Sequence, residues 1–143
     1  MQKILCFMIA GLAGLVLAEG TVVETKTYIS PVKYTLAWTA SANGIVSNAT
    51  TFYVRGELSR VTFTGAGTGT TYSVALMDSA TVDVLAGQGA GVVSNSVTTV
   101  VPGVKISDGV TTNVMPFVIN DLLTLLITDA GSNKTGSVIL YVK

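Results

Sequence analysis

The chain after about position 20 is predicted to fold as a single all-β domain, an antiparallel β-sandwich or jelly roll. Three observations predict this. Twenty threonines, together with many valines, fill the sequence from Thr21 onward, and both residues are stiff at the β-carbon and suit a pleated, half-buried surface better than a helix. Large apolar residues recur with a period of two. Glycine, asparagine and proline punctuate these runs so often that no crossover helix fits between them, which implies antiparallel pairing.

The first element stands apart. Met1-Gln2-Lys3 precedes an uncharged stretch from Ile4 to Ala18, and polar sequence begins at Glu19-Gly20. Residues 1–18 therefore read as a signal-peptide-like hydrophobic leader, helical and removable. Its 15 apolar residues fall short of the roughly 20 that a membrane span needs. No stable span is expected once it is cleaved. The domain proper is assigned to residues 21–143.

Strands are expected near 22–29, 32–40, 51–55, 58–64, 71–77, 81–85, 97–101, 114–119, 122–128 and 136–142. Tyr34, Leu36 and Trp38 alternate with Thr35, Ala37 and Thr39. Val61 and Phe63 share a face opposite Arg60, Thr62 and Thr64, and Tyr72, Val74 and Leu76 share another. In the last run Val138, Leu140 and Val142 alternate with Ser137, Ile139 and Tyr141, so both faces are largely apolar. That pattern predicts a central strand covered on both sides. Turns are expected at Asn43-Gly44, 65–69, 87–91, Pro102-Gly103, Asp108-Gly109 and 130–133.

Composition narrows the function classes. Charged residues are 11% of the chain, with eight basic and eight acidic; losing Lys3 with the leader leaves seven basic. No basic field exists to hold phosphates, so no nucleic-acid partner is expected. There is no histidine, and the single cysteine, Cys6, lies in the leader. The mature chain is left without the commonest general base, the commonest metal ligand, a thiolate or a disulfide. No catalytic, cofactor-binding or metal-binding residues are assigned, and the chain is expected not to be an enzyme.

The remaining candidate residues have plainer structural roles. Asp78 and Asp83 flank a turn, but their spacing misses the alternating oxygen ligands of a calcium loop. They read as turn aspartates accepting backbone hydrogen bonds, and Asp108 reads likewise. Asp121 and Asp129 bracket Leu122 to Ile127 and are taken to mark the two ends of that strand. Glu57 and Arg60 fit a surface pair worth little. The loop Gly87-Gln88-Gly89-Ala90-Gly91 lacks the lysine and helix of a phosphate loop, leaving turn or tight backbone contact. Ser59, Ser73 and Ser79 have no histidine and no Ser-x-x-Lys partner, so a serine nucleophile has no visible base in the sequence. Most aromatics sit at strand spacing and are assigned to the core. Asn48-Ala49-Thr50 and Asn133-Lys134-Thr135 match a glycosylation acceptor pattern, which matters only in a eukaryotic secretory pathway.

Several segments resemble a group of small virion structural proteins of tailed bacteriophages. They are Thr27 to Pro31 with Tyr34 to Trp38, Gly56 to Phe63, Tyr72 to Asp78 running into Asp83 to Ala90, Leu123-Thr124-Leu125, and Asp129 to Tyr141. The resemblance covers most of residues 26–142. It implies a non-enzymatic protein of the phage particle, such as a head decoration or tail accessory subunit. Its partners would be other virion proteins or further copies of itself, and its location the virion. The leader departs from that pattern, because virion proteins assemble in the cytoplasm and need no export signal. It favours the alternative, a secreted or cell-surface β-sandwich that binds carbohydrate or protein.

Overall fold

The structure, a computed structural model, describes residues 20–47, 51–67, 71–107 and 112–143. These are all-β and antiparallel throughout, and no helix occurs among them. The leader, Asp108 and the first glycosylation pattern lie outside the described residues.

Nine strands follow one another among the described residues: β1 (Thr21–Thr27), β2 (Val32–Thr39), β3 (Thr51–Ala66), β4 (Thr71–Met77), β5 (Val92–Val93), β6 (Val97–Val100), β7 (Gly103–Ser107), β8 (Thr112–Thr128) and β9 (Thr135–Val142). They are hydrogen-bonded in the order β1-β2-β9-β3-β8-β4-β5, with β6 added to β3 and β7 added to β8. β3 and β8 are long enough to change partners along their length. The first half of β3 pairs with β8, from Thr51↔Thr124 to Leu58↔Phe117. Its second half pairs with β9 and, at Val61 to Thr64, with β6. β8 in turn pairs with β7 at its start, β3 in the middle and β4 at its end. The sheet thus has two halves, joined by two strands that belong to both.

The switch in β3 has a local cause. Its register shifts between Leu58 and Arg60, so Ser59 is an extra residue in the ladder. The Ser59 hydroxyl donates to the Tyr141 carbonyl at 2.9 Å, which anchors the bulge to β9. Beyond it, Glu57 and Lys143 exchange backbone hydrogen bonds of 2.9 and 3.0 Å.

One buried cluster holds both halves together. Tyr34, Leu36, Trp38, Val138 and Leu140 come from one half; Tyr72, Val74, Leu76, Leu125 and Ile127 come from the other. Trp38 and Tyr72 meet with ring centroids 5.4 Å apart, and Tyr34 meets Phe52 at 6.2 Å. The alternation expected for β2, β4 and the second half of β3 is the alternation of buried and outward residues.

Four expectations need correction. The pairs of strands expected at 51–55 with 58–64, and at 114–119 with 122–128, are each one continuous strand. Asp121 consequently lies within β8 and marks no end, whereas Asp129 does follow its last residue with φ of 62°. Residues 81–85 form turns, with one isolated bridge at Met77↔Asp83. β9 is central, as expected, but Ile139 and Tyr141 on its other face are only half-buried, so that face is not covered.

Candidate interaction surfaces

Asp78 and Asp83 belong to the turns that follow β4. Asp78 accepts from the backbone N–H groups of Ala80 at 3.0 Å and Val82 at 2.8 Å. Asp83 accepts from Leu76 at 3.1 Å and Leu85 at 3.0 Å through one oxygen, and from Gly87 at 2.9 Å through the other. The turn role expected for both is the role they have. Asp83→Ala is expected to cost about 2 kcal/mol, since the backbone N–H groups of Leu76 in β4 and of Leu85 and Gly87 in the following loop lose their acceptor. Asp83→Asn keeps one oxygen and should recover most of that loss in urea denaturation.

Asp121 joins the same loop to β8. Its carboxylate accepts from the Ser79 hydroxyl at 2.6 Å, the Ser79 N–H at 3.2 Å and the Leu122 N–H at 2.7 Å. The bond from the Ser79 hydroxyl, then that from the Leu122 N–H, hold its carboxyl below the usual carboxylate range. The pair ties the turn that follows β4 to β8. Arg60 lies over the Tyr141 ring, 3.9 Å from its centroid. Gly89 packs against β4 so closely that a β-carbon there would sit 2.0 Å from the Val74 carbonyl oxygen. This is the tight backbone contact expected of the glycine loop. Among the described residues, no three Asp, Glu, Cys or His side chains converge as a metal site would require.

The outer face of β1-β2-β9-β3-β6 is broad and nearly uncharged. Cross-strand rows can be read directly from the register. One row is Thr25, Thr35, Ile139, Thr62 and Thr99; the next is Thr27, Lys33, Tyr141 and Arg60. The hydroxyls of Thr62 and Thr99 lie 3.3 Å apart. A groove of about 450 Å³ opens at the other end of this face, flanked by Thr21, Val23, Thr39, Thr64, Thr135 and Ser137. Its walls offer hydroxyls and no titratable side chain. Beneath it Gly65 and Gly136 face each other, and the Trp38 indole packs against Gly136.

Aromatic burial follows expectation for Tyr34, Trp38, Phe52, Phe63 and Tyr72 but fails for Tyr28 and Tyr53, which are 80% and 52% exposed. Tyr28 and Tyr34 both receive the Lys26 ammonium, at 4.9 and 4.6 Å. Trp38 Nε1 and Tyr72 Oη are buried with no hydrogen-bond partner among the described residues. Burial pushes the Tyr72 hydroxyl up from 10.0 to about 12. The unfolded chain releases this proton first, so stability contributed by Tyr72 is whole below pH 10 and is lost as the pH rises towards about 12. Tyr72→Phe should remove that alkaline dependence in a pH series of thermal melts and leave neutral-pH stability unchanged or higher.

A second, more apolar surface lies on the β3–β8 ladder. Tyr53 stands opposite Leu122, Arg55 opposite Asn120, and Glu57 opposite Val118. The Tyr53 hydroxyl donates to Asn120 Oδ1 at 2.5 Å. Residue spacing alone does not reveal this surface, because nothing local in the sequence pairs residues 51–58 with 117–124. No family model, no curated protein and no solved structure matches this chain.

Proposed function

We propose that the chain is a non-enzymatic structural protein of a phage particle, a head decoration or tail accessory subunit that works through protein–protein contacts. The fold then counts as a β-sandwich of jelly-roll type, with the inward faces of the two sheet halves closing on one core. One observation supports this reading above others: the threonine-rich outer face of β1-β2-β9-β3-β6, whose paired rows carry two cations, Lys33 and Arg60, and no acid. Such a face suits many weak contacts repeated on a lattice, where avidity replaces individual strength. Mass spectrometry of purified particles tests it: the chain should appear at a stoichiometry set by particle symmetry, and its absence from intact particles overturns the proposal.

The second reading, a secreted or cell-surface module that binds carbohydrate or protein, draws on the uncharged run from Ile4 to Ala18. N-terminal sequencing of the protein from its native source separates the two. A start at Glu19 supports export, and a start at Met1 supports the particle.

A further inference from the structure

The outer face of the β3–β8 ladder is complementary to itself. Tyr53, Leu122 and Val118 are 52%, 49% and 72% exposed on it, which is unusual for three large apolar groups on one small face. Between them on β3 stand Arg55 and Glu57, two residues apart and so on the same side of the strand, with Lys143 beside Glu57 on the β9 side. Arg55 and Glu57 are placed symmetrically about Gly56.

Consider a two-fold axis lying in the plane of this face, perpendicular to the strands, through Gly56. It lays β3 antiparallel on β3 of a second copy. Arg55 of each copy then meets Glu57 of the other, so one axis creates two ion pairs. The same operation sets Asn120 of each copy over Val118 of the other, with Tyr53 and Leu122 extending the contact outward. Sheets packed face to face lie roughly 10 Å apart, a gap that an arginine and a glutamate span by meeting tip to tip. The other in-plane axis, parallel to the strands, fails this test: it sets Arg55 over Asn120 and leaves Glu57 facing Val118.

We propose that this face is the contact surface of an isologous homodimer, with reciprocal Arg55–Glu57 pairs fixing the register. The dimer stands on this face alone and does not depend on membership of a particle. Its partner is a second copy because the two-fold brings each charge on β3 against its opposite on the same strand of that copy.

Sedimentation velocity on the full-length chain tests this, with circular dichroism to confirm that each variant folds. The wild type should show a concentration-dependent monomer–dimer equilibrium. Arg55→Glu and Glu57→Arg should each weaken the dimer by about tenfold or more, because each leaves like charges opposed. The double variant R55E/E57R should restore dimerisation to within about threefold of wild type, since the exchanged charges pair again by the same symmetry. Val118→Asp, at an outward position, should weaken the dimer without touching the core. A wild type that stays monomeric up to about 1 mM, an open series of oligomers, or a double variant no better than the single ones overturns the proposal. None of these results bears on whether the chain occurs in particles.

Discussion

Phe63→Ala is expected to lower the free energy of unfolding by about 3–5 kcal/mol. Phe63 is fully buried on the second half of β3. Val138 of β9 faces it on one side and Thr98 of β6 on the other. Both neighbours are held by ladder hydrogen bonds, so the walls cannot move in to fill the space left by the ring, and the cavity remains. Domains of this size are commonly stable by about 5–15 kcal/mol, so this single change removes a large share. In urea titration the midpoint should fall with the slope unchanged. Thr62→Ala, one residue away on the outer face, should change stability by less than about 0.5 kcal/mol. A loss below about 1 kcal/mol for Phe63→Ala would mean that the core collapses around the gap, contrary to the close packing that makes such a site rigid.

Gly136→Ala should be nearly as damaging, for the opposite reason. A β-carbon at Gly136 would lie 2.4 Å from Trp38 Cζ2 and 2.6 Å from the Thr64 carbonyl oxygen. The carbonyl belongs to the β3 ladder and cannot yield without parting β3 from β9. The indole is 3% exposed and already rests on Tyr72, so it has nowhere to retreat. A loss of about 3 kcal/mol is expected, at the upper end of ordinary overpacking. Trp38→Phe removes the ring edge that clashes, so the combined W38F/G136A variant should cost clearly less than the two single losses added together. Simple additivity in that double-mutant cycle would show that the steric conflict lies elsewhere.

The sequence made the strands of the core readable wherever one face alone is buried. Tyr34-Leu36-Trp38, Tyr72-Val74-Leu76 and Val138-Leu140-Val142 alternate in composition because they alternate in environment. The pattern failed where polar residues interrupt a strand without ending it. Gly56-Glu57 looks like a break, yet β3 runs through it, because the bulge at Ser59 absorbs the change of partner. Asn120-Asp121 looks like another, but Asp121 is satisfied by Ser79 from a distant turn. Local composition cannot report a partner 42 residues away. Conversely, Thr81 to Leu85 has the residues of a strand, but the carboxylates of Asp78 and Asp83 take its backbone N–H groups and curl it into turns. The turn roles of these aspartates followed from residue type alone. The self-matching surface did not, because it exists only once β3 and β8 are adjacent.

The position of β9 bears on how the protein is made. The last strand in chain order fills the slot between β2 and β3, in the middle of the finished sheet. A growing chain on the ribosome can build the hairpin of β1 and β2 early, but it must hold the slot open until residues 135–142 emerge. During that interval two strand edges stand bare beside Leu36 and Phe63, offering neighbouring nascent chains a template for the wrong pairing. Production at high density is therefore the most hazardous moment for this molecule, and slower synthesis in a cool host should raise the soluble yield.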